Sequence, residues 1–205
     1  LNPDRAKRVK APKDLRAPVV AHVFSGGPAE QAGMKVYDVI IEINGKSVKN
    51  GSDLVGAVVA VDVGQMVSIK ALREGKERMF QVKVTQRPGN GGASEKRKKD
   101  VPSKRKTGVD TGMSIRDLTS ADIREQGLPE KSRGVIISRV SEGGAADKAG
   151  LGAGDVILEV DRKTIRDVES FDALVREKKS YLLRVRRADP QGREVFTVII
   201  LDLKD

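Results

Sequence analysis

Short β-branched runs at 19–23 (VVAHV) and 135–140 (VIISRV) read as strands. Each is followed by a Gly-Gly turn and an alanine-rich helical turn, at 28–32 and 145–149. Pro28 suits the first helical turn, where its missing N–H is no loss. Gly33 and Gly150 then stand where a helix C-terminus asks for a left-handed residue. Nearly continuous apolar runs come next, DVIIEI at 38–43 and DVILEV at 155–160, as in strands buried on both faces. Asn44-Gly45 is a strong tight-turn signal, and Asp161-Arg162 a weaker version of it.

The rest of the pattern predicts helices over 52–60 and 168–178, with Asp167 as N-cap of the latter. Phe171, Leu174, Val175 and Lys178 recur there at helical spacing, Lys178 laying its stem along the apolar face. A terminal hairpin closes each half. Its arms are 66–73 and 77–84 about Glu74-Gly75, then 181–187 and 193–201 about 189–192. The alternation in YLLRVRR at 181–187 predicts one apolar and one wet face.

These two halves are one pattern repeated without a gap. Residues 23–43 (VFSGGPAEQAGMKVYDVIIEI) and 140–160 (VSEGGAADKAGLGAGDVILEV) superpose at a single offset, which matches Gly26, Gly27, Gly33, Asp38 and Glu42 to Gly143, Gly144, Gly150, Asp155 and Glu159. Two copies of one compact domain explain this better than a solenoid, whose units are shorter and more numerous. The predicted class is mainly β with short helices: two partly open barrel or sandwich domains, each leaving a strand edge beside its longer helix. The boundaries fall at 1–87 and 112–205, with a connection over 88–111.

Composition narrows the core and the chemistry. Two Tyr, four Phe and no Trp in 205 residues leave aliphatic cores of Val, Ile, Leu and Ala. The absence of Cys removes disulfides, thiolate zinc sites and a cysteine nucleophile, without identifying a compartment. With no apolar run near 18 residues, no signal peptide and no initial Met, the chain reads as a soluble piece of a longer protein. Half of the +10 net charge lies in EKRKKDVPSKRK at 95–106, where seven basic residues face two acidic ones. The surrounding Gly, Pro and Ser and the missing aromatic residues make a solvated linker the plainer reading. Binding of nucleic acid or an anionic surface through 96–106 is the competing one.

Ser25-Gly26-Gly27-Pro28 mimics the run around a trypsin-like nucleophile, with the single histidine, His22, three residues away. The repeat argues against catalysis, since the offset puts Glu142 and Arg139 at those two places while the glycines persist. No cluster of His and Cys points to a metal, and no phosphate loop or dinucleotide fingerprint points to a nucleotide, so no cofactor is predicted.

GGPAEQAGMKVYDVIIEINGK at 26–46, GGAADKAGLGAGDVILEVDRK at 143–163 and MSIRDLTSADIREQGLPEKSRGVIISRV at 113–140 resemble the tandem PDZ domains of HtrA/Deg-family serine proteases. The resemblance covers nearly everything outside the linker. It implies a carboxylate-binding loop at 109–113, a peptide-receiving strand at 113–117 and a facing helix at 168–178. The implied peptide-binding residues are Thr111, Gly112, Met113, Ser114, Ile115, Ser170, Phe171 and Leu174. The bland alternative is that Met113, Ile115 and Leu174 are core.

In the first copy, Leu1-Asn2-Pro3-Asp4 aligns with 118–121, so the equivalent of the loop and strand would precede Leu1, and the second domain is the expected peptide binder. Ala17-Pro18 also replaces Gly134-Val135, removing a strand donor. The resemblance further implies a bacterial periplasmic or envelope location, an upstream protease domain with its own catalytic triad, and C-terminal or unfolded apolar peptide segments as partners. A non-catalytic scaffold or assembly module contacting sister subunits is the alternative.

Overall fold

The computed structural model describes residues 15–85, 111–125, 128, 132–176, 179–188 and 194–203. The basic stretch, the first fourteen residues, Lys178 and the turn at 189–193 lie outside them. Two compact units result, Leu1–Gly89 and Asn90–Asp205.

In the first unit, helix α1 (Pro28–Gln31) leads into β1 (Val39–Ile43) and the two-residue β2 (Lys46–Ser47). Helix α2 (Gly51–Val59) and the hairpin β3 (Met66–Arg73) and β4 (Lys76–Lys83) follow. The four strands form an open sheet in the order β2-β1-β3-β4. Its core gathers Met34, Ile40, Ile43, Val67, Ile69 and Phe80 against the partly buried Leu54 and Val58 of α2.

The second unit adds an edge. Strand β5 (Met113–Asp117) and helix α3 (Ser120–Glu125) precede β6 (Val135–Val140), α4 (Ala145–Lys148), β7 (Val156–Val160) and β8 (Lys163–Thr164). Helix α5 (Val168–Leu174) then leads to the hairpin β9 (Ser180–Ala188) and β10 (Glu194–Asp202). The sheet runs β10-β9-β7-β6-β5, with β8 paired to β7. Among the described residues both units are thus mixed β/helix sheets that stay open, and neither closes into a barrel.

The strand expected over 19–23 shrinks to a single bridge, Val19 to Val39. Residues 18–20 still make the bonds of 135–137: Pro18 O accepts from Ile40 N at 2.9 Å and Val20 N donates to Asp38 O at 2.8 Å. Pro18 has no N–H to give, and among the described residues no strand pairs on the far side as β5 does with β6. The helix expected to reach 178 stops at Leu174, because Val175 leaves helical geometry at φ −103°, ψ 59°.

The wet face expected on β9 is also absent. Leu182 and Arg186 are buried, and the arginines are ion-paired: Arg184 to Glu159 at 2.8 Å, Arg186 to Glu194 at 2.6 Å, and Arg187 to Asp155 at 2.7 Å. Glu159 on β7 and Glu194 on β10 stand beside Arg184 and Arg186, so these side chains pair across strands instead of extending into water.

Each unit carries the same clamp. Asp38 accepts from Lys35 N at 2.8 Å and from Arg73 at 2.7 Å, while Arg73 also donates to Gly33 O at 2.8 Å. Asp155 accepts from Gly152 N at 2.9 Å and from Arg187 at 2.7 Å, while Arg187 donates to Gly150 O at 2.9 Å. The clamp ties the end of the short helix to the hairpin in both units. Asp38 is fully buried, so Arg73→Ala leaves a carboxylate with a backbone donor and no counter-charge. We expect it to lower the unfolding free energy of the first unit by about 2–3 kcal/mol, read from urea titration of the isolated 1–89 segment or of the full chain.

A strand edge and a helix as the candidate site

Gly112 enters β5 with φ +68°, a conformation that favours glycine. The space around it is as restrictive as the torsion. A Cβ at Gly112 would lie 3.0 Å from Ala145 N and from Gly144 Cα, and one at Gly144 would lie 3.0 Å from Gly112 Cα. The two backbones touch because Ser141 N donates to Gly112 O at 2.8 Å and Ala146 N donates to Thr111 O at 3.1 Å. The loop is therefore laced to the start of α4, and Thr111 is buried beneath it.

Beyond the loop, β5 pairs on one side with β6 and on the other with no strand among the described residues. The pairing slips between Ser114 and Ile115, since Ser114 faces Arg139 and Ile115 faces Ile137. Ser138 is the extra residue, and its Oγ donates to Ser114 O at 3.1 Å. Such a bulge increases the local twist and bends the strand.

Helix α5 is attached to the far end of β5. Val168 N donates to Asp117 Oδ1 at 2.7 Å, which satisfies one helix-terminal donor and sets the start of α5 beside the last residue of the strand. Its cap is a reciprocal box: Asp167 Oδ1 accepts from Ser170 N at 2.8 Å, and Ser170 Oγ accepts from Asp167 N at 3.1 Å. The Ser170 backbone N–H first, and then its hydroxyl, hold the Asp167 carboxyl below its usual pKa.

The eight residues named from sequence divide accordingly. Met113, Ile115 and Phe171 are buried in the core and Leu174 packs partly against it, which is the plainer role expected for Met113, Ile115 and Leu174. Ser114 contributes the bulge carbonyl, and Ser170 is committed to the cap. Thr111 and Gly112 form the loop, while Val109 and Asp110 lie outside the described residues. Sequence reasoning missed Asp117 and Gly144. A Gly-Gly turn was legible, but its second glycine also makes room for Gly112, a contact 32 residues distant in the chain.

Arg116, on the opposite face of β5 from Ile115, forks onto Asp122 of α3, with Nη2 2.7 Å from Oδ1. Thr119 adds N–H and hydroxyl donors at 2.8 and 2.7 Å. The guanidinium first, and then the Thr119 donors, lower the Asp122 carboxyl to a pKa of about 2. Ser25, by contrast, sits in a turn where Gly26 N donates to Glu30 at 2.7 Å, as Gly143 N does to Asp147 at 2.9 Å, and His22 lies in the irregular segment before it. The His22 ring packs edge-on to Phe24, their centroids 4.7 Å apart.

Comparison with known proteins places this geometry among PDZ domains. One PDZ domain family matches residues 6–84 and a second matches residues 136–187. The probable periplasmic serine endoprotease DegP-like of Chlamydia trachomatis is 32% identical over 173 residues, which are 83% of this chain and 32% of that protein. Its counterpart in Pseudomonas fulva is 31% identical over 199 residues, 96% of this chain and 40% of that protein. This chain thus spans about a third to two-fifths of the length of those relatives. Among solved structures, the HtrA-type protease AlgW with decapeptide aligns over 46% of this chain and 29% of that one, at 26% identity and a TM-score of 0.35.

Because the folded pKa of Asp122 lies below that of the unfolded chain, its contribution is complete above about pH 4 and is lost as pH falls toward 2. The shift corresponds to about 2 kcal/mol. Chemical unfolding of the second unit at pH 5, 4, 3 and 2 should therefore lose stability less steeply in Asp122→Asn than in the unaltered chain. Parallel slopes would remove Asp122 from the account.

Proposed function

The chain belongs to the PDZ-domain family, as a tandem pair homologous to the PDZ domains of HtrA/DegP-family serine proteases, and on that premise we propose that its second domain captures polypeptide C-termini by strand addition. The observation that carries this reading is the open edge of β5, which begins at the pinned loop of Gly112 and runs beside α5. An extended peptide laid on that edge extends the sheet by one strand, its backbone groups bonding to those of β5. Its terminal carboxylate meets the loop, where the left-handed turn at Gly112 aims successive backbone N–H groups at an anion.

An apolar last residue is favoured where the aliphatic core comes up to the strand edge at Met113 and the partly buried Leu174, and its burial adds to a main chain that any sequence can supply. Affinity then comes from the backbone and the terminal charge, and selectivity from the few side chains that reach this apolar edge. Such a site suits ends exposed by unfolding or cleavage. Within a longer protein, the pair would present these ends to a serine endopeptidase domain or regulate it, in the periplasm or envelope of a bacterium. We take the domains to run over 1–87 and 112–205 with a connection over 88–111, a reading supported by the presence of two compact units and two separate family matches.

The site itself contains no chemical step. Among the described residues, no group of three or more His, Cys, Asp or Glu could hold a metal, and Ser25 lies in a structural turn of the first unit.

Fluorescence titration of a decapeptide ending in Ala-Ala-Val tests the proposal. The free acid should bind the full chain at least tenfold more tightly than the C-terminal amide, a difference of about 1.4 kcal/mol for one lost charge-assisted contact. Gly112→Val should abolish the difference, because its Cβ meets the backbone of Gly144 and Ala145. Equal binding of acid and amide to the unaltered chain would overturn the loop assignment.

A further inference from the structure

The chain has four asparagines, and glycine follows three of them, at 44–45, 50–51 and 90–91. The pair at 90–91 lies outside the described residues. Asparagine before glycine carries a latent reaction. The glycine backbone nitrogen attacks the asparagine Cγ, and its proton passes by way of solvent to Nδ2, which leaves as ammonia and closes a five-membered succinimide. Solvent water then opens the ring at one carbonyl or the other, giving aspartate or isoaspartate. Glycine permits the attack because no side chain crowds its nitrogen.

The fold treats the two described pairs differently. Asn44-Gly45 turns β1 into β2 with φ of +47° and +78°. Both residues are exposed, a Cβ at Gly45 would meet nothing within 4 Å, and Gly45 N donates no hydrogen bond among the described residues. The nucleophile is open. Asn44 Oδ1 accepts from Ser68 N at 2.8 Å, which draws electron density from Cγ and leaves Nδ2 out of the bond. The exposed Lys46, next in the chain, favours loss of the Gly45 proton.

At the second pair, Asn50 caps α2. Its Oδ1 accepts from Asp53 N at 2.9 Å, and Asp53 Oδ2 accepts in return from Lys49 N at 2.9 Å. Turning the Asn50 amide onto Gly51 N breaks this cap. The Asp53 carboxylate also opposes loss of the Gly51 proton.

The second unit shows what each product would do. Asp161 stands where Asn44 does, at φ +48°, its Oδ1 accepting from Leu182 N at 2.9 Å as Asn44 accepts from Ser68 N. Aspartate therefore holds this turn as well as asparagine. Asp167 stands where Asn50 does, but its partner three residues on is Ser170, whereas an aspartate at 50 would meet the carboxylate of Asp53. Residues 112–205 contain no asparagine.

We propose that Asn44 is a site of spontaneous deamidation in the folded first domain, with an aspartate product that the turn accepts. The reaction needs water and no enzyme, and it lowers the charge of that domain by one. Isoaspartate instead adds a methylene to the main chain between the paired Ile43 and Lys46 and loosens the β1–β2 hairpin.

The test incubates the full chain in mildly alkaline buffer, with and without urea. Peptide mass spectrometry follows both sites, with fragmentation that separates aspartate from isoaspartate. In buffer Asn44 should convert at least about tenfold faster than Asn50, and in urea, where turn and cap are lost, the two rates should converge. Gly45→Arg copies the second turn, where Arg162 has φ +67°, and should slow conversion of Asn44 by about tenfold while leaving Asn50 unchanged. Gly45→Ala, a smaller change, should slow it in the same direction. Asn44→Asp, the product itself, should keep the thermal unfolding midpoint of the unaltered chain.

Equal rates at Asn44 and Asn50 in the folded chain would overturn the assignment. So would an Asn44 that persists in buffer over the time in which urea converts it. A lowered midpoint in Asn44→Asp would overturn the claim that the turn accepts the product.

Discussion

Two backbones that meet at glycine set the position of everything at the candidate site. Gly112 and Gly144 approach until a Cβ on either would press on the other's backbone at 3.0 Å, and the hydrogen bonds from Ser141 N and Ala146 N hold them there. From that point β5 has no freedom of register: Met113 opposes Val140, and alternation turns Met113 and Ile115 inward and Ser114 and Arg116 outward. A slip of one residue would expose two core side chains and bury Arg116 away from Asp122. The loop is thus fixed by packing rather than by its own few bonds, as a preorganised anion site requires.

The scaffold under the loop is the same in both units, and its most polar part shows what the repeat preserves. The Asp38 and Asp155 clamps bring together groups distant in sequence, each carboxylate taking an arginine from the hairpin and a backbone donor three residues earlier. Burial pushes the Asp155 carboxyl above its usual value although Arg187 and Gly152 N both pull it down. Desolvation therefore outweighs the pairing there. A buried pair of this kind contributes geometry, holding the helix end against the hairpin, more than stability.

Local rules made much of this fold legible. Gly33 and Gly150 have φ of +81° and +76°, Pro28 starts its helix, and Asp167 caps α5. Even the weaker turn signal at Asp161-Arg162 works, with φ of +48° and +67° beside +47° and +78° at Asn44-Gly45. The reason is the first residue: Asp161 Oδ1 accepts from Leu182 N at 2.9 Å as Asn44 Oδ1 does from Ser68 N at 2.8 Å, so either side chain anchors the turn. What stayed hidden was set by tertiary surroundings. The strand at 19–23 lost its length for want of a neighbour, and Ser170 was drawn into a cap. Sequence periodicity assigns a face. It does not say which flank a second strand will cover.

An open strand edge invites unwanted pairing, and the way each edge here is handled argues for β5 as the receiving one. In the first unit one edge is the two-residue β2 and the other is β4, whose exposed residues include Lys76, Glu77, Arg78, Gln81 and Lys83. In the second unit β10 begins with the ion-paired Glu194 and ends on the exposed Asp202. Strand β5 instead turns Met113 and Ile115 into the core, and no strand among the described residues pairs along its other edge. Its protection is geometric: five residues, a bulge at Ser138, a backbone wall at Gly144 and a helix alongside. A strand so short, bent and walled lacks the long flat edge that makes unlimited pairing hazardous.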